Sequence, residues 1–388
     1  MSKDGVIYAG NNEDWSDPYT KFWIYPPSDG KNGWIKFGFG GGFPQGGMNE
    51  HGLFWDATGS PYLGMPMSEK TRQLFHGPLM QKILEECCTV EEAIKILGRY
   101  YCVDQYRSQY LIGDSTGVSM IVEGDNVIMK SGYFQVLTNF YLSNPELGGY
   151  PCWRYEKAVS MLSESNKFSP YTIGTILSAT HQSGRYPTRY SNIYDLINKK
   201  VYLFHYHNYE EFLLIDLNKE INYLSRSFTI SDLFSNVKLL PPVSQKKISG
   251  PSAILRWQGK PTSRYEILCS TESDFSDCTP VAITVVSSES CTNVLSESMI
   301  IACLIMGYVV VRKRKYFYMR LITGFIIFCS ITCENDIDYV VDNGTEEFSM
   351  TIDNLLPEKL YYWKLIAFPS GYEEYKTESV MKSFSIRD

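Results

Sequence analysis

Apolar and polar positions alternate in short runs at the start of the chain. Val6-Ile7-Tyr8-Ala9 reads as a strand that runs directly into a polar cluster, Gly10-Asn11-Asn12-Glu13-Asp14-Trp15. Lys3-Asp4-Gly5 before it is a turn of the kind that joins antiparallel strands, so the strand is the second arm of a hairpin. By antiparallel pairing, the partners of Asn11 and Asn12 fall about four to five places upstream of Met1. Residues 34–39 and 52–57 also read as strands, joined by glycine-rich connections. Between 68 and 98 the period becomes helical, with Leu79, Ile83 and Leu84 on one face. Thr89-Val90-Glu91-Glu92 then opens a second helix as a capping box, and Ile94 and Leu97 continue its apolar stripe. Residues 108–138 return to strands, broken by turns at 113–117 and 124–126. Residues 153–163 and 171–178 are helical, and 190–217 hold three more strands.

After Leu239-Leu240-Pro241-Pro242 the pattern changes to short alternating strands at 253–257, 265–268, 348–352, 360–367 and 382–386, the signature of a β-sandwich. The chain therefore divides into units at 1–240 and 241–388. A foreign stretch at about 290–335 interrupts the second unit. Residues 299–311 carry no charge, Arg312-Lys313-Arg314-Lys315 is a basic knot, and 321–332 are apolar again. Each run is short for a bilayer, which needs about 20 residues. Extended to 294–333, they form either a membrane hairpin with its basic loop in the cytoplasm or a buried helical pair. The hairpin predicts a membrane-anchored protein with both globular units extracytoplasmic.

Composition narrows the classes. A chain of 388 residues exceeds one ordinary core, and 44% hydrophobic with 14% aromatic content predicts packed globular structure. A net charge of −7 excludes nucleic acid as a general partner. The ten cysteines follow no metal-ligand spacing, so no metal or cofactor is expected. Cys269 and Cys278 are either a disulfide or two free thiols. Residues 40–47 lack the lysine and following serine or threonine of a phosphate loop. His205 and His207 share a strand face without a third ligand nearby, and read as a packed or solvent-facing pair. The polar N-terminus shows no signal peptide.

Gly10-Asn11-Asn12-Glu13-Asp14-Trp15 resembles the Gly-Arg-Asn-x-Asp-Trp motif of N-terminal-nucleophile hydrolases acting on linear amides, the bile-salt hydrolases and penicillin V acylases with related N-acyltransferases. The resemblance continues at 45–53, 111–117, 121–123, 136–140 and 186–195, in family order, and spans residues 1 to about 217. It implies an α+β fold, a four-layer αββα sandwich, and a cysteine nucleophile at the mature N-terminus facing Asp14 across the first hairpin. That cysteine falls upstream of Met1, so the chain numbered from Met1 is expected to be inactive. The second unit resembles a fibronectin type III domain, on the tryptophan at 257 and on Leu355-Leu356-Pro357 before Tyr361.

Amide cleavage needs a nucleophile, a base and donors for the oxyanion. A free N-terminal amine, with a pKa near 8, can be the base. The resemblance gives Asp14 the task of orienting that amine, and Asn139 that of oxyanion donor. Asn11 stands where the family has arginine, replacing a fixed charge by a neutral hydrogen-bonding group. The family's second asparagine falls near Thr58-Gly59, where there is none. Its late arginine corresponds to Arg185 or Arg189, with His181 as a third choice. Trp15 and Trp55 are candidate walls of the acyl pocket or members of the core. Ser2 is excluded as nucleophile, because the strand holds it roughly 20 Å from Asp14 at about 3.3 Å per residue. The expected activity is hydrolysis of a small N-acyl amide. The alternatives are an N-acyltransferase and a non-catalytic binding or scaffold protein with the same fold.

Overall fold

The computed structural model describes residues 2–3, 5–65, 71–241, 246–276, 281–283 and 344–387. The chain opens with β1 (Ser2–Lys3), β2 (Val6–Asp14), β3 (Thr20–Tyr25), β4 (Trp34–Phe39), β5 (Pro44–Asn49), β6 (Phe54–Gly59) and β7 (Gln73–Leu74). Helices α1 (Leu79–Glu86) and α2 (Val90–Arg99) follow, then β8 (Tyr100–Tyr101), β9 (Ser108–Gly113), β10 (Ser119–Glu123) and β11 (Asn126–Met129). Next come α3 (Trp153–Glu164), α4 (Pro170–Thr180), β12 (Thr188–Asp195), β13 (Lys200–His205), β14 (Asn208–Asp216), α5 (Leu217–Glu220) and β15 (Arg226–Thr229).

These elements stack in four layers. One sheet runs in the order β1-β2-β12-β13-β14, and the facing sheet in the order β11-β10-β9-β6-β5-β4-β3-β15. Phe22, Phe37, Phe54, Tyr190, Tyr194 and Leu203 fill the space between them. Trp55, Tyr110 and Met120 point the other way, from the second sheet onto Leu79, Ile83 and Leu84 of α1 and Val90 of α2. Tyr8, Ile193 and Phe204 of the first sheet pack on Leu162, Ile173 and Leu177 of α3 and α4. Because helices cover both sheets, strands such as β12 are buried on both faces.

Helix ends explain the boundaries. Thr89 caps α2 by accepting from Glu92 N at 3.3 Å, while Glu92 accepts from Cys88 N at 2.6 Å, one residue earlier than the capping box predicts. Ser169 caps α4 with Pro170 at its first turn. The carbonyls of Leu84 and Cys87 at the end of α1 accept from the amides of both Asn32 and Asn49. Helix α1 begins only after Pro78, so residues 71–78 are not helical as the periodicity suggests. Residues 130–138 are likewise irregular, not strand. β6 starts at Phe54 because Gly52 is a turn residue at φ +79° whose Cβ would lie 2.1 Å from the Leu196 carbonyl oxygen.

The C-terminal strands are β16 (Lys238–Leu240), β17 (Lys246–Ser249), β18 (Ala253–Gly259), β19 (Arg264–Ser270), β20 (Val281–Ile283), β21 (Glu346–Ile352), β22 (Leu360–Phe368), β23 (Thr377–Ser379) and β24 (Lys382–Arg387). A sheet β16-β18-β21 packs on β17-β24-β22-β19-β20 around Trp257, Tyr265, Trp363 and Phe384. Leu356 N donates to the Tyr361 hydroxyl at 2.8 Å, tying the strand entry to the turn before it. The sandwich is also joined to the first unit through strand pairing, since β23 bonds β14 at Glu211↔Ser379, Phe212↔Glu378 and Leu213↔Thr377. The stretch at 290–335, on which the expectation of a membrane hairpin falls, lies outside the described residues, as does Cys278. Among the described residues no helix is long and apolar enough to cross a membrane.

Candidate active site

The site is built on β2. Ile7 and Ala9 pack into the space between the sheets, so alternation turns Asn11 and Glu13 the same way. Asn12 faces α4, where its amide donates to the Leu177 carbonyl at 2.9 Å and its oxygen accepts from Ser191 Oγ at 2.7 Å. On one side β2 pairs with β12 from Tyr8 to Asp14. On the other, pairing with β1 stops at Ser2↔Ile7, and among the described residues no strand pairs with residues 9–14 on that edge. A cavity of about 530 Å³ opens there, lined by β2, the end of β6, the irregular segment 135–139 and α3.

Four segments meet at Asp14. Its carboxylate accepts from Thr188 Oγ1 at 2.5 Å, Gln182 Nε2 at 2.5 Å and Arg154 at 3.0 Å. Burial pushes the Asp14 carboxyl up, while the Thr188 hydroxyl, the Arg154 charge and the Gln182 amide pull it back. The second Arg154 nitrogen donates to Asn139 Oδ1 at 2.7 Å, so one guanidinium spans both residues. Asn139 in turn donates to Thr58 Oγ1 at 2.8 Å and to the Gly59 carbonyl at 2.9 Å. Both its amide hydrogens are therefore engaged. Thr58, which accepts one of them, retains a hydroxyl proton that can be directed at a carbonyl oxygen in the cavity.

Arg154 was not legible as a site residue, since nothing in the first turn of α3 distinguishes it from a solvated arginine. The residues singled out in the sequence fall in different places. Asp14, Asn11, Asn139 and Trp15 all line the cavity. Trp15 stands 49% exposed at its mouth, with Phe39 and Tyr186 rings each 6.0 Å away. Trp55 is 1% exposed and lies in the core beneath α1 and α2, which corrects its reading as a pocket wall. Arg185 is exposed, stacked over Tyr186, and outside the cavity lining. Arg189 donates to the carbonyls of Trp15 and Ser16, bracing the loop that carries Trp15. His205 ends β13 and His207 lies in the turn after it, so the two do not share a strand face as expected. His205 is half-buried against Phe234 and His207 packs on His181. No group of three or more metal-binding side chains occurs among the described residues.

Two further carboxyls face the cavity, Glu13 of β2 and Asp56 of β6, 8% and 9% exposed. Burial, then the Asp14 charge, lifts Glu13 to about 8. Burial and the Glu13 charge raise Asp56 as well. The Asn11 amide beside them has both polar atoms buried without a hydrogen-bond partner. The Tyr190 hydroxyl, opposite Glu13 across the strand pair, is also buried and unpartnered.

No family model matches this chain, and no curated protein does. Solved structures similar to it include a variant of conjugated bile acid hydrolase from Clostridium perfringens, at 15% identity and a TM-score of 0.47, over 58% of this chain and 94% of that one. Penicillin V acylase from Agrobacterium tumefaciens is similar at 17% identity and a TM-score of 0.47, over 59% of this chain and 89% of its own.

Proposed function

We propose that the protein hydrolyses a linear amide C–N bond in the cavity beside β2. The observation that carries this reading is the convergence of Asp14, Arg154, Asn139 and Thr58 on an open strand edge that borders a cavity large enough for a small N-acyl amide. The sequence motifs around Asn11, Asp14 and Asn139 support the same chemistry.

In this reading the nucleophile is an N-terminal cysteine that lies upstream of Met1 and reaches Asp14 along the open edge of β2. Its α-amine takes the thiol proton, and Asp14, held by Thr188, Gln182 and Arg154, orients the resulting ammonium. The sulfur attacks the amide carbonyl, and the oxyanion is met by the Thr58 hydroxyl, whose oxygen accepts from the Asn139 amide and is directed by it. Collapse breaks the C–N bond, and the leaving amine takes the proton from the ammonium. Water then attacks the thioester with the amine as base, releasing the carboxylic acid and restoring the thiol. An amine in place of that water would make the same site an N-acyltransferase. The engagement of both Asn139 hydrogens favours a second reading, a binding protein of the same fold. In the same proposal residues 241–388 form a fibronectin type III-like module, and residues 294–333 tether the protein to a membrane with its globular units outside.

Steady-state release of amine from N-acyl amino acids and penicillin V, by protein with its native N-terminus, tests this. Asp14→Asn is expected to lower kcat/KM by about 10²- to 10⁴-fold with little loss of stability. Unchanged turnover would overturn the role of Asp14, and saturable binding without turnover would establish the binding reading.

A further inference from the structure

Glu13 and Asp56 are not needed to orient a nucleophile or to receive an oxyanion, yet they occupy the interior of the cavity. Burying two carboxyls side by side is unfavourable unless a positive charge or donors compensate them. The charge acting on Glu13 is that of Asp14, and the charge acting on Asp56 is that of Glu13, all of one sign. The nearest guanidinium, Arg154, is held by Asp14 and Asn139. Lys130, elsewhere in the lining, donates to the Gly117 carbonyl.

Two unpartnered polar groups beside the acids point to a ligand. The Asn11 amide lines the cavity with no partner for its nitrogen or its oxygen. Tyr190, fully buried and paired with Glu13 across β2 and β12, holds an unpartnered hydroxyl in the field of both carboxyls. Gly46 makes room for the Asp56 carboxyl, since a Cβ there would lie 2.1 Å from Asp56 Oδ2. Trp15 and Phe39 add two aromatic rings to the lining, and their faces attract cations.

We propose that Glu13 and Asp56, with the Asn11 and Tyr190 polar atoms around them, are the subsite for a positively charged nitrogen of the substrate. The amides this cavity takes then carry a primary ammonium or a guanidinium on the acyl or the amine side. This deepens the amidohydrolase reading and rests on it for the scissile bond, but not for the binding of the cation. A charge-assisted hydrogen bond in a desolvated pocket corresponds to about 10- to 100-fold in affinity.

The test is titration calorimetry of the full-length protein with three amides of similar length: N-hexanoyl-cadaverine, the neutral N-hexanoyl-hexylamine and the anionic N-hexanoyl-6-aminohexanoate. The cationic amide is expected to bind about 10- to 100-fold tighter than the neutral one, and the anionic amide weakest. Glu13→Gln and Asp56→Asn should each reduce that preference about tenfold. Trp15→Ala, at an exposed position where folding is not at stake, should reduce it by about threefold. Equal affinity for neutral and cationic amides, or a preference that survives Glu13→Gln, would overturn the proposal. Cleavage is followed separately. A cation preference without cleavage would leave the subsite standing and overturn the hydrolase reading, whereas cleavage with no cation preference would do the reverse.

Discussion

Glu211 and the pair Glu13 and Asp56 are all buried carboxyls, but their surroundings differ. Glu211, fully buried where β14 meets β23, accepts from Ser235 N at 2.9 Å, Val237 N at 2.8 Å and Thr377 Oγ1 at 2.6 Å. It ties three segments together, and both of its oxygens have donors. Burial raises it, while Thr377, the two backbone N–H groups and the Lys260 charge draw it down. Glu13 and Asp56 face a cavity, Glu13 under the charge of Asp14 and Asp56 under that of Glu13. A carboxylate satisfied by the fold reads as architecture, whereas one left to a cavity reads as a site waiting for a partner.

Removing the satisfied carboxylate should have the larger effect. Glu211→Ala leaves two backbone N–H groups and a hydroxyl buried without an acceptor, so a loss of about 3–5 kcal/mol is expected in urea unfolding. A loss below 1 kcal/mol would show that Glu211 does not join the two units.

The unsatisfied acid should behave in the opposite sense. Glu13 is raised in the folded state to about 8 from an ordinary 4.5, so the folded protein binds its proton more tightly. Its contribution is therefore undiminished near pH 4.5 and is lost as pH rises towards 8. The groups facing it are Asp56 across the inter-sheet space, Tyr190 and Tyr194 on the neighbouring strand β12 and Asp14 beside it, with Arg154 turned to Asp14. Glu13→Gln carries no such dependence. Melting curves should show the variant equal to the parent near pH 4.5 and more stable by a few °C at pH 8.5, where about 1 kcal/mol corresponds to roughly 2–4 °C in a domain of this size. A variant less stable than the parent at both pH values would break the comparison.

Much of the fold could be read from the chain. The apolar run that opens β2, the capping residue Thr89, and the turn at 113–117 each place an element locally, without reference to distant contacts. The failures have physical causes. Trp55 reads from sequence as either a pocket wall or a core residue, and only the position of α1 and α2, which cover its face of β6, selects the core. The expected helix from 68 does not begin until residue 79 because Pro78 restricts the residue before it and fits the edge of a helix better than its interior. Asp14 and Asn139 stood out in sequence, but Arg154, Gln182 and Thr58 did not. Each is an ordinary polar residue whose meaning comes from the residue it meets across more than 80 positions in the case of Thr58 and Asn139. The acidic pair was invisible for the same reason, since Glu13 and Asp56 belong to different sheets.

The account turns on a nucleophile that reaches Asp14 along the open edge of β2. The most direct measurement is mass spectrometry of the mature N-terminus of the protein from its native source. A chain beginning with a free cysteine a few residues before Met1 is the predicted result. A chain beginning at Met1 or Ser2 would contradict it, and the cavity would then be a binding site without catalysis.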